Sequence, residues 1–205
     1  MFIFSVGADI CYLLVYVDDI LLTGSNSLLL ECLIRLLSSK FKLCDLGFVH
    51  YFFGIEVQST SKGLMLRQHK YTLDILTRAG MLSCKPVDTP ISTSKATILP
   101  DSLFSDATRF HQIVGALQYI TFMRPNICFV VNRVCQFIHA PIDSHWAAVK
   151  RILRYLRGTT SHRLHITRSS SFTLRGFTDA NWASSVEDIK STGGYLVFFG
   201  QTPIS

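Results

Sequence analysis

No apolar run in this 205-residue sequence reaches the roughly 20 residues that a membrane-spanning helix needs, because Asp18 and Asp19 interrupt the longest candidate. The six cysteines, at 11, 32, 44, 84, 128 and 135, include no C-x-x-C pair and form no regular framework. They read as buried thiols of a reducing compartment, with no disulfide-linked partner. Cys128 and Cys135 lie seven apart on one expected helix face, a spacing that suits a core better than a ligand pair. His162 and His165 have no Cys or acid beside them to complete a metal site. A phosphate-cradling glycine loop, a zinc-protease helix, a nucleophile elbow and a solenoid repeat are all missing. The apolar start Met1–Ala8 carries no basic residue and runs directly into Asp9, so it is not read as a targeting signal. These absences point to an intracellular protein with no membrane partner, and leave its compartment open.

Acid is scarce in one stretch. Between residues 107 and 175, Asp143 alone stands against ten Lys and Arg, so that stretch carries +9 while the rest of the chain carries −3. The whole chain is +6 with an isoelectric point near 9.1. Such asymmetry suggests one surface that meets a phosphate backbone.

Against this background stands Tyr16-Val17-Asp18-Asp19, flanked by the apolar runs 11–15 and 20–22. Two strand-forming runs joined through Val-Asp-Asp predict a hairpin over 10–23 whose tip presents carboxylates. Hard oxygen donors on a rigid tip suit Mg²⁺, which takes one or two carboxylates together with substrate phosphates. The plain alternative is that Asp-Asp is simply good turn chemistry.

Leucines at helical spacing predict a helix over 27–40, after Asn26 and Ser27 as caps. A second hairpin is expected from 50–58 and 64–67, turning through 59–63, followed by a helix over 70–79 stopped by Gly80. The Pro/Ser/Thr-rich stretch 86–100 has no usable period and reads as an extended linker. Two helices flank Arg124-Pro125, with Phe110, Ile113, Val114, Leu117 and Ile120 on the first and Ile127, Val131, Val134 and Ile138 on the second. A third helix, 144–157, buries Trp146, Val149, Leu153 and Leu156 and is closed by Gly158. Its other face carries Lys150, Arg154 and Arg157, with Arg151 beside them. Basic residues near a helix C-terminus also complement the helix dipole, and this simpler account stays open. Residues 172–178 and 194–199 predict two further strands, the first ending at Asp179. The fold class is α+β.

The hairpin string resembles the polymerase signature of copia-type retrotransposon reverse transcriptases, within Pol polyproteins, and the resemblance continues in order along nearly the whole chain. It runs through Leu46-Gly47 and Gly54-Ile55-Glu56-Val57, then Gln68 to Tyr71, then Lys85-Pro86-Val87. It continues through Val114-Gly115 to Tyr119 and Arg124-Pro125-Asn126-Ile127, where Met123 and Asn126 replace the usual Thr and Asp. It ends with His145 to Thr159, with Phe177-Thr178-Asp179 to Ala183, and with Ser191 to Tyr195. Stand-alone plant fragments, including uncharacterised mitochondrial proteins, are similar.

The resemblance implies a partial palm with the start of a thumb over 1–85, a linker over 86–105, a helical connection over 106–160, and a truncated ribonuclease H-like start over 161–205. It implies Asp18 and Asp19 as catalytic metal ligands for Mg²⁺, with Asp18 bridging two ions and Asp19 secondary. Asp179 would be the first acid of the ribonuclease H site, and Lys150, Arg151, Arg154 and Arg157 would contact template. The partners implied are an RNA template and RNA–DNA duplex, with dNTP only if the missing palm and fingers are supplied. Residues 2–8 are similar to the strand that precedes the hairpin in the family, so the chain is expected to start inside a domain. The upstream catalytic aspartate and the downstream acid-bearing helix are expected to be missing, and the chain alone to be inactive. Glu187 and Asp188 read as turn residues. The competing expectation is a non-catalytic nucleic-acid-binding or regulatory module retained from a retroelement.

Overall fold

Apolar runs at the start of the chain form three antiparallel strands, β1 (Phe2–Val6), β2 (Asp9–Tyr16) and β3 (Asp19–Gly24), in the order β1-β2-β3. The computed structural model describes residues 1–92, 102–168, 173–181 and 191–204. Register places Leu13 opposite Leu22 and Val15 opposite Ile20, and Phe2 opposite Leu13 on the other side. Cys11, Leu13, Leu22 and Phe4 therefore share one sheet face, the face that α1 (Ser27–Lys40) approaches where Leu30 nears Gly24. Asn26 caps α1 by accepting from the amides of Leu28 and Leu29. Asp9 in turn accepts from the Asn26 amide at 2.7 Å and from the Ser25 hydroxyl, which ties the head of β2 to the helix start. The short strand β4 (Tyr51–Phe52), which is not part of that sheet, lies at the end of the unit Met1–Phe53. Among its described residues only Cys11 is a buried apolar residue.

The second compact unit, Gly54–Ser205, holds the core. Strands β5 (Ile55–Thr60), β6 (Gly63–Arg67) and β7 (Leu164–Thr167) pair antiparallel with β6 in the middle. The β5–β6 turn is narrower than its composition predicts, because Thr60 pairs with Gly63 and its hydroxyl donates to the Gly63 carbonyl. β7 lies where the sequence predicts no strand, and it pairs with a segment about 100 residues earlier, Leu64 facing Ile166 and Leu66 facing Leu164. Four helices follow the expected apolar periods: α2 (His69–Arg78), α3 (Ala107–Ile120), α4 (Cys128–Cys135) and α5 (Asp143–Gly158), with a 3₁₀ turn Pro125–Ile127 leading into α4. Ile75 and Leu76 of α2 meet Phe110, Val114 and Leu117 of α3, Val131 of α4, and Val149, Leu153 and Leu156 of α5 in one core. Burial at this density supplies the principal stabilisation of the unit.

Two glycines end helices differently. Gly80, at φ 65°, follows the last turn of α2 and lets the Met81 amide return to the Leu76 carbonyl at 2.7 Å. Gly158 was expected to close α5 in the same way, yet it is the last helical residue. A Cβ there would sit 3.0 Å from the Pro86 Cβ, so its role is clearance for a crossing segment.

A third antiparallel sheet has the order β10-β9-β8, from β8 (Leu174–Asn181), β9 (Thr192–Phe199) and β10 (Thr202–Pro203). β8 continues two residues past Asp179, where it was expected to stop. The Thr202 hydroxyl accepts from the Thr167 amide at 3.3 Å and links this sheet to β7. Phe172, Trp182, Ala183, Glu187, Asp188 and part of the expected linker lie outside the described residues. The arrangement is α+β with antiparallel sheets. The segment boundaries expected at 85/86, 105/106 and 160/161 fall inside the second unit. Among the described residues, no helix is long and apolar enough to cross a membrane.

Candidate catalytic hairpin and basic helix

The β2–β3 connection has only two residues between paired Tyr16 and Asp19. To turn so tightly the chain puts Val17 at φ 49°, a left-handed conformation that β-branched residues avoid. Strain of this kind persists only where surrounding structure enforces it. Here the Tyr16 ring packs edge to face on Phe53, whose own φ is 54°. Val17, Asp18 and Asp19 are all solvent-exposed, so the tip presents two adjacent carboxylates on a short, fixed turn.

Asp9 does not add to this pair. It begins the same strand at the far end, about 23 Å of extended chain away, and its carboxylate is engaged by Asn26 and Ser25. Among the described residues no group of three or more His, Cys, Asp or Glu could hold a metal ion. The donor set is therefore two hard oxygen ligands, which suits a Mg²⁺ that draws its remaining ligands from phosphates and water and does not suit a closed protein cage.

Asp179 lies on β8 opposite Gly194, exposed, with Oδ1 accepting from the following amide of Ala180 at 2.9 Å. It belongs to the second unit, as do the four basic residues of α5. Lys150 is exposed. The other three are engaged by the segment that crosses Gly158: Arg151 Nη2 donates to the Thr89 hydroxyl at 2.8 Å, Arg154 Nε to the Lys85 carbonyl at 2.8 Å and Arg157 Nε to the Leu82 carbonyl at 2.9 Å. The sequence shows three cations on one helix face with Arg151 beside them, but nothing local announces that a distant segment will engage the three arginines.

Two further polar residues escaped the sequence reading. Glu56 on β5 accepts from Arg67 Nε at 2.6 Å and from the Lys70 amide at 3.0 Å, so a strand carboxylate caps the first turn of α2, whose own Gln68 makes no side-chain cap. Burial raises the Glu56 pKa, but the Lys70 amide, the Arg67 bond and charge and His69 outweigh it, and the net direction is down. Arg124, 7% exposed, donates to the Thr159 carbonyl, the Thr159 hydroxyl and Asn126 Oδ1, and so closes the C-terminus of α5. Desolvation lowers its pKa, with Tyr155 acting the other way. An Arg-Pro-Asn triplet before a helix, with Tyr and Thr four apart at the end of another, is the signal that could have found it.

Residues 1–93 match the sequence model of a family described as reverse transcriptase (RNA-dependent DNA polymerase). Over its full length the chain is 44% identical to the retrovirus-related Pol polyprotein from transposon RE2 of Arabidopsis thaliana, of which it covers 14%. It is 46% identical to an uncharacterized mitochondrial protein of the same plant, over 95% of this chain and 81% of that protein. Over 94% of the chain it is 37% identical to the Pol polyprotein from transposon TNT 1-94 of Nicotiana tabacum. The chain spans about one seventh of the length of the Pol polyproteins it matches. No solved structure matches it.

Proposed function

The chain belongs to the copia-type reverse transcriptase family of retrotransposon Pol polyproteins, and from that premise we propose that it supplies the Val-Asp-Asp half of a two-metal nucleotidyl-transfer site. The observation that carries this reading is the strained two-residue turn at Val17, which fixes Asp18 and Asp19 side by side at an exposed tip. Mg²⁺ held there would supply charge stabilisation for the attacking and leaving oxygens of phosphoryl transfer. Asp18 and Asp19 would anchor it while the Tyr16–Phe53 contact keeps the tip in place. The two-metal site takes a further carboxylate beyond this pair, and dNTP binds only when the remaining palm and fingers are provided. Residues 1–85 act as part of a palm and thumb, the helices of 106–160 as a connection, and β8 with β9 as the first hairpin of a ribonuclease H-like domain. The basic face of α5, with Lys150, Arg151, Arg154 and Arg157, lies along the phosphates of an RNA template or RNA–DNA duplex.

The test is primer extension on a primed RNA template with Mg²⁺. The isolated chain gives no product. Template-dependent incorporation that disappears in Asp18→Asn overturns the incomplete-site reading.

A second reading, a nucleic-acid-binding module that does no chemistry, is favoured by where the core lies. Among the described residues every buried apolar side chain except Cys11 belongs to the second unit. Duplex binding by a chain with both tip aspartates changed to Asn, undiminished from wild type, supports it.

A further inference from the structure

Three arginines on α5 make one bond each to a single crossing segment, and the atoms they use differ in consequence. Arg154 and Arg157 donate through Nε to the carbonyls of Lys85 and Leu82. The Nε–H lies at the inner edge of the guanidinium, so a carbonyl held there fixes the plane of the group and leaves Nη1 and Nη2 pointing onward. Among the described residues no bond is made to those terminal nitrogens, Arg157 is exposed and Arg154 half-buried. The two residues stand three apart on α5, so their side chains are neighbours on the helix surface. The segment itself is seated by Pro86 against Gly158 and by the Arg151 bond to Thr89.

We propose that the segment Leu82–Thr89 is a positioning strap, whose carbonyls preorganise Arg154 and Arg157 as two forks for phosphate oxygens. This rests on the reading that α5 meets a nucleic-acid backbone, and it adds how the contact is made. A guanidinium takes phosphate through paired N–H bonds in a fixed plane, whereas an ammonium acts as a point charge. A side chain already held in its binding orientation loses less rotational freedom on contact, and that saving appears as affinity. Mere dipole complementation by the same residues needs only charge.

The full chain is titrated with an RNA–DNA hybrid duplex over a range of salt, with thermal melting to establish that each variant is folded. Arg154→Lys with Arg157→Lys keeps both charges and removes both Nε anchors: affinity falls about tenfold while the log–log salt slope stays within half a unit of wild type. Arg154→Gln with Arg157→Gln loses more, and its slope flattens by about two. Thr89→Val, which frees one anchor of the strap at an exposed hydroxyl, weakens binding a few-fold at constant slope. Wild-type affinity in the double Lys variant overturns the positioning role and leaves α5 binding by charge alone. Tighter binding by Thr89→Val overturns it in the opposite sense, since the strap would then compete with nucleic acid for the arginines. Unchanged affinity in the double Gln variant removes the underlying reading that α5 contacts phosphate.

Discussion

Tyr16 and Phe53 meet edge to face with ring centroids 3.9 Å apart and planes at 85°, and this contact joins the two places where, among the described residues, non-glycine backbone turns left-handed, Val17 and Phe53. An edge-to-face pair contributes about 0.5–1.5 kcal/mol beyond its buried area, comparable to the cost of one strained residue. The contact thus offsets part of the distortion at the tip. Replacing Val17, 79% exposed, by Asn keeps the turn and removes the β-branch. The expected outcome is a gain of about 1 kcal/mol in urea unfolding. A loss of stability would show that the valine is not strained.

Glu56 makes acid the weak side of the second unit. Its pKa is lowered in the folded chain from the ordinary 4.5, so its contribution is complete above that value and is lost as pH falls through the lower folded value. Glu56→Gln should cost about 1–2 kcal/mol at pH 7, through the charge-assisted bonds to Arg67 and the Lys70 amide. It should also flatten the fall in the urea midpoint below pH 4.5. Equal acid sensitivity in the two proteins would assign that sensitivity to other carboxylates.

Arg124 is a buried cation that bonds, among the described residues, to neutral oxygens. Asn126, at 3.3 Å from its Nε, donates to the Tyr155 hydroxyl at 2.7 Å. Asn126→Asp places a carboxylate between a guanidinium and a phenol that can turn to donate. Thermal unfolding should rise, equivalent to about 1–2 kcal/mol. A fall would mean that the lost Asn126 donor bond outweighs the new ion pair.

Asp179 is exposed and satisfied by its neighbour's amide. Cleavage of RNA in an RNA–DNA hybrid, assayed in Mg²⁺ and in Mn²⁺, should be absent from the isolated chain. Asp179→Asn should alter stability by no more than about 0.5 kcal/mol. Product that depends on Asp179 would mean that further acids gather around it.

Local periodicity carried most of the helices: α1 occupies the span its leucines predict, and Phe110, Val114, Leu117, Val131, Val149, Leu153 and Leu156 are buried as their spacing requires. The turn at Asp18 was legible from two apolar runs and a short polar gap, but the left-handed Val17 was not, since valine argues against it. β7 was missed because Leu164-His-Ile-Thr167 is four residues of weak alternation, and only its partner strand, far away in sequence, makes it a strand. The strap was missed for the same reason. Its anchors are backbone carbonyls, which every residue possesses and no composition reveals.

The pairing of β7 with β6 has a consequence for synthesis on the ribosome. When Gly63–Arg67 emerges, the strand that will cover its open edge is still about 100 residues from being made. At the usual 5–20 residues per second, the interval is roughly 5–20 s. During that time Leu64 and Leu66 sit on an unpaired edge, a template for wrong partners. The nascent chain is therefore a better client for a chaperone than the finished one, and a translational pause placed before residue 164 would lengthen the risk.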